Sequence, residues 1–98
     1  MSTIFEKKVY AVAKRIPRGH VVTYKMIARA IGRPQAVRAI GNALHKNPFA
    51  SVPCHRVVRS DGRLGGFNRG AQRKRVLLQK EGVMLHRGRI HPFYLLTS

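Results

Sequence analysis

The stretch TYKMIARAIGRPQAVRAIGNALHKN, residues 23–47, decides the fold. Thr23 is a good N-cap ahead of an apolar-periodic run, and Gly32 closes that run. Pro34 then suits the first turn of a second helix. Along this second helix Val37, Ile40, Gly41 and Leu44 share one face, and Arg38, Asn42 and His45 lie off it. Two short helices joined by a Gly-Arg-Pro turn predict a helix-turn-helix.

Outward from there, Phe5, Val9, Val12 and Ile16 recur at helical spacing, which predicts a helix from Ser2 or Thr3 to about Arg15. IPRGH at 16–20 breaks it, and Val21-Val22 is short and extended. Downstream, SVPCHRVV at 51–58 reads as a strand. SDGRLGGFNRG at 60–70 holds four glycines and reads as an irregular loop. AQRKRVLLQKEG at 71–82 is a final helix, with Val76, Leu77 and Leu78 apolar and Gly82 as C-cap. VMLH, RGR and PFYLL form a terminal hairpin or an extended tail.

The 98 residues suit one domain, 1–98, and 44% hydrophobic content suits a folded one. No apolar run reaches membrane-spanning length, and MSTIFEKKVY lacks the apolar centre of a signal peptide. The expected location is intracellular, cytoplasmic (nucleoid) or nuclear, with no membrane attachment. Twenty Lys and Arg face three acids, a net charge of +17. So few internal acids leave most of that charge for water or an external polyanion, with nucleic acid favoured over an anionic membrane. The expected fold class is therefore mostly α with a short strand or irregular active-site segment. The expectation is a helix-turn-helix, winged-helix-like DNA-binding domain.

Cys54 is the single cysteine, which excludes an internal disulfide or a C-x-x-C pair. Cys54 and His55 point apart on a strand, and no second cysteine-histidine cluster completes four ligands, so no metal site is expected. Cys54 is either a small buried hydrophobe or a nucleophile. A nucleophile needs ionisation, a base, and a group that orients the base. His55 is the nearest imidazole, with a bend at Pro53 or a bridging water closing the gap. Three acids compete to orient it. Glu6, beside Lys7 and Lys8, reads as a solvated helix residue, and Asp61 in SDGR as a turn residue. Glu81 stands at a helix C-terminus, where the dipole disfavours a carboxylate by about 0.3–1 kcal/mol. Either another contact holds it there or Lys80 or Arg73 neutralises it. His20, His45, His86 and His91 are weaker candidates. The glycine-rich loop fits neither a P-loop nor a dinucleotide fingerprint, and Phe67 offers a stacking surface to a planar ligand.

VPCHRVV, the upstream RAIGNALHKNP, the downstream LLQKEG and the run GHVVTYKMIARAIGRPQAVRAIG together resemble the C-terminal domain of the O6-alkylguanine-DNA alkyltransferases. The resemblance runs from about Ile4 to Gly82. It implies a single-turnover repair reaction on double-stranded DNA containing O6-alkylguanine, entered from the minor groove by a monomer that uses no cofactor. An alkylated guanine is flipped out and its alkyl group moves onto Cys54. His55 would act as base through a water, with Glu81 orienting it and Asn47 bracing the turn that carries the cysteine. Tyr24 would place a hydroxyl near the flipped base, and Arg38 would fill the vacated space. The backbone around Val57 and Asn68 would read the guanine edge. Ala36, Ala39 and Asn42 on the second helix, with Gly65 and Phe67 in the glycine loop, complete the implied DNA- and base-binding set. Ala36, Ala39, Gly41 and Ala43 also make that helix slim enough for a minor groove about 6 Å wide.

Three departures accompany the match. The chain is expected to hold this domain without the family's usual N-terminal one. Phe67 stands where many members carry tyrosine. The stretch from Asn47-Pro48 to Pro53 is one residue shorter than in many reactive members. An alternative class, the alkyltransferase-like proteins, binds such lesions without repair and signals to other pathways. Its members typically replace the cysteine, which is present here.

Overall fold

A computed structural model describes residues 2–67 and 70–96. Its elements are α1 (Ile4–Lys14), β1 (Val22–Thr23), α2 (Tyr24–Ala30), α3 (Val37–His45), β2 (Val57–Val58), α4 (Ala71–Lys80), β3 (Leu85–His86) and β4 (Arg89–Ile90). Single 3-10 turns cover Cys54–Arg56 and Pro92–Tyr94. The chain is thus mostly helical with very short strands, the expected class. None of the described helices is long and apolar enough to cross a membrane.

Thr3 caps α1 reciprocally with Glu6. The Thr3 hydroxyl accepts the Glu6 N–H at 3.0 Å, and the Glu6 carboxylate accepts the Thr3 N–H at 2.8 Å. The same carboxylate pairs with Lys46 at 2.9 Å. Glu6 is therefore no solvated helix residue: its side chain is 12% exposed because it closes the helix end and reaches across to the end of α3.

Thr23 caps α2 as expected, accepting the Met26 N–H at 3.0 Å. Gly32, at φ 73°, ends it. The following helix departs from expectation in two ways. Pro34 lies in the inter-helix turn, closed by the Ala36 N–H on Arg33 O at 3.0 Å, and α3 begins only at Val37. Its inward face is Ile40, Ala43 and Leu44, whereas Val37 is 38% exposed. The inward face is set by its neighbours. The buried Tyr10 hydroxyl of α1 donates to Ala43 O at 2.7 Å, so that side of α3 turns towards α1.

The segment expected as one strand is shared between a turn and a strand. Pro53 has no N–H to give a ladder, Cys54–Arg56 coils into one 3-10 turn, and extended backbone resumes at Val57. There β2 runs parallel to β1, pairing Val22 with Val57 and Thr23 with Val58. Val9, Ala13, Ile27, Ala28, Ile40 and Val57 form the main core around these elements, with Cys54 at its edge. Val21, Val58, Leu78, Val83 and Ile90 form a second, smaller cluster under α4.

Of the apolar triple in α4, Leu78 is fully buried and Val76 and Leu77 only partly so. Glu81 is the C-cap, and Gly82 follows it at φ 90°. The terminal hairpin is present: β3 pairs antiparallel with β4 through a turn at Arg87–Gly88. The chain then returns to β1, where Leu95 bridges Val21.

Removing the Tyr10 hydroxyl strips a helix-end carbonyl of its donor inside the core. Tyr10→Phe is expected to lower stability by about 1–2 kcal/mol, read as a lower urea midpoint at unchanged slope.

Candidate functional site

Cys54 opens the 3-10 turn and is 8% exposed. Asn47, just past α3, holds it from one side. The Asn47 amide Nδ2 lies 2.9 Å from Cys54 Sγ and 2.9 Å from Phe49 O, and Oδ1 accepts the Phe49 N–H at 2.9 Å.

From the same turn His55 and Arg56 both reach Glu81. His55 Nε2 lies 2.9 Å from Glu81 Oε2. Arg56 donates through Nε to Oε1 at 2.9 Å and through a terminal nitrogen to Oε2 at 2.8 Å. Its other terminal nitrogen donates to Ile16 O, past the end of α1, at 2.8 Å. Burial pushes the Glu81 carboxyl up, but the bonds from Arg56 and His55 outweigh it and bring the pKa down to about 2. Glu81 is therefore a carboxylate and acts only as acceptor, so the His55 proton sits on Nε2 and leaves Nδ1 with its lone pair. Burial pulls the His55 pKa below its ordinary value, against the opposite pull of Glu81, which favours the neutral base. The contact that keeps Glu81 at its helix end is thus Arg56, with neither Lys80 nor Arg73 in that role.

Two cavities meet at Cys54 and Phe67. One, about 700 Å³, is lined by Tyr24, Val37, Arg38, Gly41, Asn42, Arg59 and Gly65, among others. The other, about 340 Å³, lies by Asn47, the 49–53 loop and His55. The first thus gathers Tyr24, Arg38, Asn42, Gly65 and Phe67 beside the sulfur. At Gly65, φ 75°, an added Cβ would stand 3.0 Å from the Tyr24 hydroxyl oxygen, so glycine is what lets that hydroxyl approach. The Phe67 ring meets His55 edge-on, centroids 6.5 Å apart. Ala36 is half-buried against the core, while Ala39 is exposed. Val57 is buried and its carbonyl already accepts from Lys74, so one remaining lone pair is what it offers a ligand. Asn68 lies outside the described residues. Among the described residues no cluster of three metal-ligating side chains exists.

Lys74 was missed. It is 0% exposed, and its ammonium donates to the carbonyls of Val57 (2.7 Å), Leu64 and Gly66 (3.2 Å). It also stands 5.8 Å from the Tyr24 ring centroid. Burial brings its pKa down to about 8, with the nearby Cys54 acting the other way. One cation thereby pins the glycine loop to β2 and backs the cavity wall. Its spacing was a usable signal, since Lys74, Leu78 and Glu81 fall on one helical face. Arg56 was missed too, for want of any periodicity in a turn.

Residues 4–83 match the family described as 6-O-methylguanine DNA methyltransferase, DNA binding domain. The chain belongs to that family. It is 46% identical over 82 residues to a Kluyveromyces lactis methylated-DNA–protein-cysteine methyltransferase, covering 83% of this chain and 43% of that one. A Methanosarcina barkeri protein of the same name is 48% identical over 80 residues, covering 81% and 51%. The chain thus spans about half or less of such relatives. Among solved structures, Mycobacterium tuberculosis OGT in complex with DNA superposes at TM-score 0.80 with 42% identity, over 84% of this chain and 51% of that one. S. pombe Atl1 in complex with damaged DNA containing O6-carboxymethylguanine superposes at 0.84 with 35% identity, over 100% of both chains.

In this methyltransferase-family domain the Glu81 pKa makes a pH prediction. The folded value of about 2 lies below the ordinary 4.5, so its stabilisation is complete above pH 4.5 and is lost as pH falls towards 2. Glu81→Gln should flatten that acid limb in urea titrations. It should also destabilise the protein at neutral pH by about 3 kcal/mol, the low end for a buried pair, because Arg56 is partly exposed, at 17%, when it loses its counter-charge.

Proposed function

We propose that this domain repairs DNA by moving an alkyl group from O6 of guanine onto Cys54, once per molecule. One observation carries the reading. The sulfur that Asn47 holds, beside the His55–Glu81–Arg56 network, opens on the cavity that Tyr24 and Arg38 also line.

The steps follow from the side chains. Glu81 fixes the His55 proton on Nε2. Nδ1 takes the Cys54 proton through a water, for which the cavity by Asn47 and His55 has room. The thiolate attacks the alkyl carbon, an S–C bond forms, and the C–O6 bond breaks with its electron pair going to the base. The proton taken from cysteine is returned to that base, which leaves as guanine. The Tyr24 hydroxyl donates to the departing purine, and Lys74 keeps the loop carrying Gly65 and Phe67 against it. A thioether is not readily reversed, so turnover stops there.

Delivery of the base uses α3. Ala39 and Gly41 keep that helix slim for a minor groove about 6 Å wide. Arg38 enters the stack in place of the extruded nucleotide, whose flipping costs a few kcal/mol. Asn42 lies beside it, and Val57 offers backbone to the guanine edge. The domain works as a monomer on double-stranded DNA within the cell, without cofactor.

A second reading has its own support. The full-length correspondence with S. pombe Atl1 in complex with damaged DNA, at TM-score 0.84, supports a protein that binds such lesions, and binding without transfer is the alkyltransferase-like alternative. Intact-mass measurement after incubation with a duplex bearing O6-methylguanine separates the two. Repair predicts a gain of one methylene, on the peptide containing Cys54, and no gain with Cys54→Ser at retained DNA affinity. Tight lesion binding with unchanged mass gives the second reading.

Arg38→Ala should lower affinity for lesion duplex about tenfold more than for undamaged duplex in a fluorescence titration. Equal losses would reduce Arg38 to a phosphate contact.

A further inference from the structure

The hairpin after residue 83 lies beyond the segment that matches the family, and no step above uses it. It is nonetheless built firmly into the domain. The Ile90 N–H donates to Gly62 O at 2.8 Å, and a Cβ on Gly62 would come within 3.0 Å of Ile90 O. Ile90 is 6% exposed. Beyond it, Leu95 bridges Val21, and the Leu96 N–H donates to Val21 O at 2.8 Å. A hairpin anchored at both ends presents its side chains from fixed positions.

Those side chains are cationic. His86, Arg87, Arg89 and His91 are all exposed, and so are Arg59 and Arg63 of the adjoining turn. Asp61 is the one acid here among the described residues. It stands 3.7 Å from Arg59 and 3.8 Å from Arg63, and Arg89 also acts on it, so one carboxylate faces three guanidiniums. Arg87 has no acid near it in sequence. Arg59 gives the patch its direction: it lines the cavity that holds Tyr24, Arg38 and Cys54, and also the hollow that holds His86, Arg89 and His91. Positive charge therefore runs from the mouth of the base cavity onto the hairpin.

We propose that the β3–β4 hairpin is a second DNA-binding surface, gripping backbone phosphates of the duplex beyond the flipped nucleotide through Arg87 and Arg89. The proposal rests on the DNA-binding part of the reading above and not on alkyl transfer. Phosphate contacts carry no base information, so the hairpin adds affinity and register without adding lesion preference.

The test is Arg87→Gln with Arg89→Gln, titrated against undamaged and O6-methylguanine duplexes across a salt series. Each phosphate contact steepens log affinity against log salt by about 0.9. The double variant should therefore lose about 1.8 from the slope. It should weaken on both duplexes alike, and should keep the wild-type lesion ratio and thermal midpoint. Arg87→Lys with Arg89→Lys should restore the slope. An unchanged slope overturns the proposal, as does a weakening confined to the lesion duplex. Loss of binding only to anionic phospholipid vesicles would assign the patch to lipid and overturn it as well. Because undamaged duplex is a sufficient probe, failure of methyl transfer leaves this test intact. Wild-type protein that binds no duplex at all sinks the DNA reading itself.

Discussion

Glu81 is one of three acids among twenty cations, and the site hangs from it. The helix dipole of α4 disfavours a carboxylate at that end, and burial disfavours it further. Two charge-assisted bonds from Arg56 and one contact with His55 reverse the balance. Since Arg56 also donates to Ile16 O, one carboxylate fastens the end of α4, the cysteine turn and the exit of α1 together. Fixing the structure and fixing the proton of His55 are the same act. Any change that loosens Glu81 loosens all three elements and frees the imidazole to choose the other tautomer.

Lys74 does the complementary work on the opposite wall. A fully buried ammonium is tolerable because its three donors find three carbonyls. Those carbonyls belong to β2 and to a loop too rich in glycine to hold its own shape. The cavity beside Cys54 thus has one side organised by an anion and another by a buried cation, with the sulfur between. Neither charge depends on the exposed basic surface, so the positive potential outside can serve a polyanion without disturbing the chemistry inside.

Local signals were legible in the sequence. Thr3, Thr23, Gly32 and Gly82 act on their immediate neighbours, and each marks a helix end where the structure has one. Glu81 was legible as an anomaly, because a carboxylate against the dipole needs a reason. What escaped was settled at a distance. The 3-10 turn at Cys54 is held by Asn47 seven residues back and by Glu81 twenty-five residues beyond Arg56, and neither tie has a local mark. The start of α3 slipped past Pro34 because proline fits the inter-helix turn as well as a first helical turn. The orientation of α3 was misread because Val37 and Gly41 are apolar for a cavity, while Ala43 is small for a contact with Tyr10. Small and apolar residues alone do not distinguish those two causes.

The two-residue ladder between β1 and β2 has a consequence for how such domains diversify. It sets the position of the chain just after the cysteine turn, with Val57 beside Val22, and Arg56 clamps the turn from the same downstream side. Asn47 fixes the upstream end. Between them Phe49 is bonded to Asn47 and Val52 is buried in the core, whereas Ala50 and Ser51 are exposed, so insertions and deletions are geometrically cheap at those two positions. They would resize the hollow by His55 while Cys54 stays where it is. Natural variation in that span can therefore reshape this hollow without requiring the rest of the fold to readjust.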